Sequence, residues 1–264
     1  MTLRSKMILG GIAAVVIPFL IAGIVTYVLL SRSLETLYKE KTVQIAVDLA
    51  NLLQASLLKE CNLVLTLSKD TQVIEAASLK NYLITEKKLQ ELYKLLHVDH
   101  DSFFQTDENG IVRADAVSRQ RIGVDISNRD YFIQAKKGQV TVGEPVISRA
   151  SGDLIVVVCA PVFSADGDFS GVIATSLNID SLRGKIASVK IGDTGYAAVI
   201  KADGQVLIHP KKEYILNVNA FREIDTGQMA ENMRQTRKGS GRYTFRGIEK
   251  IASFAPIDLT GWTV

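Results

Sequence analysis

The sequence has few of the residues that metal and disulfide chemistry require. Its 264 residues include two cysteines, Cys61 and Cys159, and three histidines. Each cysteine lies in a helical or apolar stretch, where a thiol usually packs as a small hydrophobic group, and a disulfide between them is the alternative outside the cell. The segment His97–Asp101 holds two histidines and two aspartates, but it fits the polar end of a helix and the start of a strand. We therefore expect no metal and no cofactor.

Motifs of common catalytic chemistry are also absent. The sequence contains no Gly-x-Ser-x-Gly nucleophile motif and no phosphate-binding loop. Of its 31 basic residues, Arg4 and Lys6 lie in a short N-terminal head, which leaves 29 basic against 28 acidic residues in the remainder. No run of like charges occurs, so nucleic acid is not an expected partner. We expect a binding module and not an enzyme, with a passive scaffold or dimerisation stalk as a further alternative.

Neither glycine nor proline occurs between Ser31 and Asn109. Apolar residues recur there at spacings of three and four, which predicts a long stalk helix over residues 31–75 and a second helix over Glu86–Leu96. The apolar stripe suits both packing against the protein's own sheet and the seam of a homodimer. Its members are Leu34, Leu37, Ile45, Leu49, Leu52, Leu53, Leu57, Val64 and Leu67.

One long apolar run, Met7–Leu30, has no charged residue. A helix of this length reaches roughly 36 Å, which is enough to cross a hydrocarbon core of about 30 Å. The run ends without a small-residue cleavage site, so we interpret it as a retained transmembrane helix and not a signal peptide. Arg4 and Lys6 favour a cytoplasmic head at residues 1–6. We expect a protein of the cell inner membrane with residues 31–264 periplasmic or extracellular; a buried core helix is the alternative.

From Ser102 onward the pattern is that of strands and turns. Phe103–Thr106, a turn at Asp107–Gly110 and Ile111–Ala114 predict a hairpin, and a similar hairpin recurs over residues 196–208. Residues 158–162 are echoed by residues 253–257 in the same order and at nearly the same distance from each hairpin. This favours a tandem duplication. The sequence stops within a predicted strand, so we expect a returning strand, a second membrane helix and a cytoplasmic part to follow.

The sequence therefore predicts an α+β fold: a transmembrane and stalk helix, then two tandem units, each an antiparallel sheet flanked by helices. We place the units at residues 76–182 and 183–264. Several segments also carry a resemblance to a known family. In the first unit these are Asp125–Phe132, Gly143–Arg149, Ala160–Pro161 and Gly171–Ile173; in the second they are Gly192–Tyr196 and His209–Pro210.

On these segments, residues 31–264 resemble the double Cache extracytoplasmic sensor domain of methyl-accepting chemotaxis proteins and sensor histidine kinases, which is built of two PAS-like units. The resemblance implies that the unit at 76–182 is membrane-distal and binds a small molecule. It leaves open whether the output is a chemotaxis signalling hairpin, a histidine kinase or a cyclic-dinucleotide enzyme. In amino-acid-sensing members, an arginine followed by aromatics two and three residues later holds the ligand carboxylate, and an aspartate 47 residues beyond the arginine holds the amine.

Arg129, Tyr131 and Phe132 match the first part of that pattern, but the aspartate position holds Ser176. The tyrosine expected five residues before the arginine is Val124, and a second acidic position falls near Arg149. The resemblance thus implies a binding site that includes Arg129, Tyr131, Phe132, Ser148, Arg149, Ser176 and Phe104.

The chemistry of these residues favours an anion. The planar guanidinium of Arg129 suits a carboxylate, whereas an ammonium group would meet only the hydroxyl of Ser176 and would be repelled by Arg149. We expect a mono- or dicarboxylate in preference to an α-amino acid or amine. Structural roles are the alternatives: Phe104, Tyr131 and Phe132 as core residues, Arg149 as an exposed loop residue, Ser176 as a strand residue, and Arg129 paired with Asp125 or Asp130.

Overall fold

The computed structural model describes residues 3–117, 119–201, 203–216, 224–225, 232–233, 235–245 and 247–264, with side chains from Val16 onward except those of Gln120, Ile224 and Asp225. Its helices are α1 (Leu3–Ser68), α2 (Thr71–Ser78), α3 (Leu83–Leu96), α4 (Asp130–Ala135) and α5 (Ile179–Ala187). Its strands are β1 (His100–Thr106), β2 (Val112–Asp115), β3 (Thr141–Val142), β4 (Val146–Ile147), β5 (Leu154–Phe163), β6 (Phe169–Asn178), β7 (Val199–Ile200), β8 (Val206–Ile208), β9 (Ile224–Asp225), β10 (Gly239–Phe245), β11 (Ile248–Phe254), β12 (Pro256–Ile257) and β13 (Trp262–Thr263).

Helix α1 is continuous from the predicted membrane segment into the stalk. It ends at Ser68, whereas the sequence pattern extends the stalk helix to residue 75. The side chain of Asp70 accepts a hydrogen bond from the backbone N–H of Gln72, and this N-cap begins the separate helix α2. Lys88 from α3 pairs with the same carboxylate. The break therefore follows from a capping residue that the apolar periodicity does not reveal.

Between Val16 and Leu30, the apolar side chains of α1 are exposed. Every large apolar residue that is described between Val16 and Leu30 is at least 39% exposed. By length and composition, this helix includes a segment able to cross a membrane. Farther along, one face is buried against the sheets, at spacings of three and four: Ala46, Leu49, Ala50, Leu53, Leu57, Val64 and Leu67.

The first sheet is antiparallel, with strand order β2-β1-β6-β5-β3, and β4 pairs with the other end of β5. Alternate residues of β5 face opposite sides, as the strand period requires. Val156, Val158 and Ala160 pack toward α1. Ile155, Val157 and Cys159 pack toward α4 on the other side. The sheet thus separates a helix-covered face from a face that carries α4 and the loops around it.

Two smaller antiparallel sheets follow, with orders β12-β13-β7-β8 and β11-β10-β9. The β11-β10-β9 sheet contacts α1 near the apolar segment: Thr42 Oγ1 and Ser253 Oγ lie 2.7 Å apart, and Arg242 pairs with Glu35 at 2.8 Å. The predicted α+β fold with antiparallel sheets is confirmed. Cys61 and Cys159 are both free thiols.

Candidate functional site

A cavity lies on the face of the first sheet opposite α1. It is partly open to solvent and has a volume of about 40 Å³. Strands β1, β2, β5 and β6 form its floor, and the loops around α4 and β4 form its rim. Six of the seven predicted site residues line it: Phe104, Arg129, Tyr131, Ser148, Arg149 and Ser176.

Phe132, the seventh, lies outside the lining. Arg129 is the extended residue that precedes α4, so Tyr131 and Phe132 are neighbours in the first helical turn and point in different directions. Tyr131 faces the cavity, where burial raises its pKa to about 12. Phe132 packs edge-on against Phe169 at 5.9 Å between ring centres. Adjacent positions on a helix point about 100° apart, and here only Tyr131 reaches the cavity.

Arg129 and Arg149 join the two sides of the rim. Arg129 donates through Nη2 to the carbonyl oxygen of Ile147 at 3.1 Å. Arg149 donates to the carbonyl oxygen of Asp125 and, at 3.0 Å, to Oδ1 of Asn128. Within the described part of the chain, neither arginine has a carboxylate within ion-pair distance. Neither guanidinium is therefore held in an ion pair, although the charge of Asp125 acts on Arg149.

Ser148 shapes the rim. Its hydroxyl oxygen accepts hydrogen bonds from the backbone N–H groups of Ala150 and Ser151, at 3.3 and 3.1 Å. These bonds hold the turn between β4 and β5 from which Arg149 projects. Because the hydroxyl oxygen of Ser148 already accepts two hydrogen bonds, the hydroxyl group can act toward a ligand as a hydrogen-bond donor.

Arg121 is a third lining arginine, and the sequence reasoning missed it. Its side chain is 9% exposed, and it lies 2.5 Å from Asp101 Oδ2 and 3.5 Å from Asp115 Oδ2. Ser176 Oγ donates to the same Asp101 oxygen at 3.2 Å. No sequence motif marks Arg121; only the pairing of β1 with β2 and β6 brings these groups together.

The remaining lining residues are apolar: Val112, Val124, Ile126, Val146, Ile147, Ala150, Ile155 and Val157. Val124 occupies the position where the resemblance implies a tyrosine, and it lines the cavity there. An apolar wall that excludes water strengthens the attraction between a guanidinium and an anion. The cavity thus combines an arginine rim, an apolar wall and a polar floor.

The chain belongs to the Cache domain family (dCache_1), which it matches over residues 29–264. It is 28% identical over 187 residues to the methyl-accepting chemotaxis protein TlpB of Bacillus subtilis (strain 168), covering 70% of this chain and 26% of that protein. It is 25% identical over 265 residues to McpA of the same organism, covering 100% of this chain and 38% of that protein. The chain thus spans well under half the length of these relatives.

Solved structures share the fold. The ligand-binding domain of the Pseudomonas fluorescens chemoreceptor CtaA with L-serine superposes with a TM-score of 0.68 at 21% identity, covering 87% of this chain and 95% of that one. The ligand-binding domain of the Pseudomonas aeruginosa amino acid chemoreceptor PctB with L-Arg gives a TM-score of 0.61 at 22% identity, covering 88% and 92%. The resemblance drawn from the sequence is confirmed, as is the expectation of a sensor domain and not an enzyme.

Proposed function

We propose that this chain is the extracytoplasmic ligand-sensing part of a transmembrane chemoreceptor and that it binds a small organic anion in the cavity at Arg129. The relatives are methyl-accepting chemotaxis proteins by name, which favours a chemotaxis output over a histidine kinase or a cyclic-dinucleotide enzyme. The apolar first half of α1 provides the membrane anchor, with residues 1–6 in the cytoplasm and residues 31–264 outside it.

One observation carries the choice of ligand. Three arginines line the cavity, and none of the described residues that line it is an aspartate or glutamate. Arg121 is paired with two carboxylates, Asp101 and Asp115, so the cations that face a ligand are Arg129 and Arg149. Charge-assisted hydrogen bonds of this kind contribute about 1.5–3 kcal/mol each. A carboxylate meets two guanidinium groups here, neither of them in an ion pair although the Asp125 charge acts on Arg149, whereas an ammonium group meets no acidic residue in the lining.

The second candidate is an amino acid. CtaA and PctB were solved with L-serine and L-Arg, and Asp101 stands behind Ser176 as an anion that a ligand amine could reach through the hydroxyl. We favour the carboxylate because Arg121 already occupies Asp101. If amino acids bind and simple carboxylates do not, an amino acid replaces the carboxylate as the proposed ligand.

The arrangement along α1 supports a membrane-distal binding unit. The helix from Leu30 to Ser68 spans about 57 Å. Residues 239–253 contact α1 near Glu35 and Thr42, whereas the cavity sheet contacts it near Glu60. We therefore propose that residues 76–182 form the distal unit and residues 183–264 the proximal one.

We further propose a homodimer through the stalk. Leu37, Leu58 and Leu65 are 60%, 41% and 36% exposed on α1, and they are separated by multiples of seven residues, the repeat of a coiled-coil seam. Ligand binding then signals only if the occupied and empty cavities favour different positions of this helix. Sedimentation of the chain in detergent, compared with a Leu58→Glu variant, tests the dimer.

A thermal-shift panel on the chain in detergent tests the ligand class. The panel contains succinate, acetate, L-serine, L-arginine and putrescine, each at concentrations up to 100 times the measured Kd, where binding adds about 2.7 kcal/mol of stability. We expect carboxylates without an amine to raise the melting temperature. Arg129→Ala should abolish that rise, while Arg119→Ala, an exposed arginine outside the cavity, should retain it.

Two results would count against the proposal. If L-serine or L-arginine stabilises the wild type and succinate and acetate do not, the site takes amino acids. If Arg129→Ala keeps the full shift, the ligand binds elsewhere.

A further inference from the structure

Strand β1 contains an irregularity at the floor of the cavity. His100 pairs with Leu177 of β6 and Ser102 pairs with Ser176, so two steps along β1 match one step along β6. Asp101 is therefore the extra residue of a β-bulge. Side chains of a regular strand alternate strictly between the two faces of the sheet. An extra residue interrupts this alternation, so the side chains on either side of a bulge change faces.

The bulge directs neighbouring side chains to opposite faces. Asp101 joins Ser102 and Phe104 on the cavity face, where its carboxylate holds Arg121 and Ser176. His100 joins Phe103 on the face toward α1, and the two rings stack with centres 4.8 Å apart. If the strand kept Asp101 but had no bulge, strict alternation would place Asp101 on the α1 face and His100 on the cavity face.

On the α1 face, His100 forms a buried bridge to the stalk helix. Its Nε2 lies 2.9 Å from Oε2 of Glu60, and the two side chains are 3% and 8% exposed. Its Nδ1 lies 2.7 Å from the carbonyl oxygen of Leu96, which can only accept, so Nδ1 carries a hydrogen. The bridge to Glu60 therefore requires one further hydrogen between Nε2 and Oε2, and the pair is held by hydrogen bonds at both ring nitrogens.

We propose that Glu60 and His100 are positioning residues that transmit occupancy of the cavity to helix α1. This inference rests on the proposed function of the cavity. A ligand that displaces Arg121 or Ser176 shifts Asp101, which is covalently joined to His100, which in turn holds Glu60 on the helix. Because the bridge is buried and hydrogen-bonded, it has few alternative geometries, so a shift of β1 is passed on to α1.

The first arm of the test needs no ligand. Hydrogen–deuterium exchange is measured at residues 57–64 of α1 in the chain and in Asp101→Asn, which perturbs the cavity face alone. We expect exchange there to become at least about threefold faster. The same substitution is then made in two backgrounds: Glu60→Met, which removes the bridge, and Glu60→Gln, whose amide can still donate to His100. Asp101→Asn should have little effect in the first background and its full effect in the second.

The second arm uses succinate. In Glu60→Met we expect the Kd for succinate to change by less than about threefold, while the succinate-dependent change in α1 exchange is lost. Glu60→Gln should restore that change. If Glu60 had only a structural role, Glu60→Met would weaken both succinate binding and the stability of the chain. The change in α1 exchange would then still follow the fraction of cavities that hold succinate.

The inference is overturned if Asp101→Asn leaves α1 unchanged in the wild type, or if it changes α1 equally in the Glu60→Met background. Failure of the proposed ligand class looks different, since calorimetry then detects no succinate binding while the first arm still reports whether Asp101 and α1 are coupled. If Glu60→Met does not fold, Ser176→Ala in the wild-type and Glu60→Gln chains provides the comparison, and an unchanged α1 in both overturns the inference.

Discussion

Ser176 Oγ donates a hydrogen bond to Asp101 Oδ2 at 3.2 Å, and the same carboxylate oxygen lies 2.5 Å from Arg121. Ser176 thus stands where the resemblance to amino-acid-sensing members of the family implies an aspartate. Its hydroxyl is hydrogen-bonded to an aspartate of the neighbouring strand. That carboxylate is already paired with an arginine. The floor of the cavity is therefore polar, and it lacks a free anion of its own.

Ser176→Asp should change the ligand preference. A further carboxylate joins Asp101 and Asp115, which already outnumber the single guanidinium of Arg121, so the floor becomes more negative, attracts an ammonium group and repels a carboxylate. We expect succinate affinity to fall by about tenfold or more and binding of L-serine to improve. Isothermal titration of both compounds measures this. Ser176→Ala, which adds no charge, should change succinate affinity by much less; equal losses in the two variants would mean that packing, and not charge, sets the preference.

Arg121→Met should strongly destabilise the chain. The substitution removes the buried guanidinium that balances Asp101 and Asp115, and breaking a buried ion pair from one side costs about 3–5 kcal/mol. Arg119→Met is the matched control, because that arginine is 73% exposed and lies 3.5 Å from Glu86, so its loss should cost less than about 1 kcal/mol. Urea unfolding followed by circular dichroism compares the two. Similar midpoints would show that the floor tolerates uncompensated carboxylates.

Gly171→Ala should destabilise the sheet on which the cavity is built. Gly171 has φ +126°, and a Cβ added there would lie 2.1 Å from the carbonyl oxygen of Thr106 in the adjacent strand. We expect a loss of more than about 2 kcal/mol. Gly167→Ala separates the clash from backbone strain, because Gly167 has φ +87° with no heavy atom within 4 Å and should cost about 1 kcal/mol. Thermal melts of both variants test the difference, and a larger loss at Gly167 would contradict it.

His209 should make the chain less stable in mild acid. Burial lowers the pKa of His209, whose Nδ1 accepts a hydrogen bond from the backbone N–H of Lys211 at 2.9 Å. The unfolded chain therefore takes up a proton near pH 6.5 while the folded chain does not, so stability falls as pH decreases through that value. In His209→Asn this part of the decline should disappear. Urea midpoints at pH 7.5 and 5.5 measure it; parallel declines in the two proteins would assign the pH dependence to other groups.

The sequence alone determined the class of the protein and the outline of its fold. An uncharged apolar run and an apolar periodicity without glycine or proline specify one long helix, since both signals are local and helical spacing is regular. The same is true of the hairpin around Asp107–Gly110, where turn residues separate two alternating strands. Arg129, Ser148 and Arg149 could be selected because they lie within short, ordered motifs.

Only the tertiary structure decided which side chains meet. Phe132 turns away from the cavity and packs against Phe169 of β6, which is distant in the sequence. Arg121, Asp101 and Ser176 come from separate segments, and their contact depends on strand register. The bulge at Asp101 sends His100 to Glu60, 40 residues away in the chain. Register and bulges arise from pairing between distant strands, so local sequence patterns do not encode them and the folded sheet does.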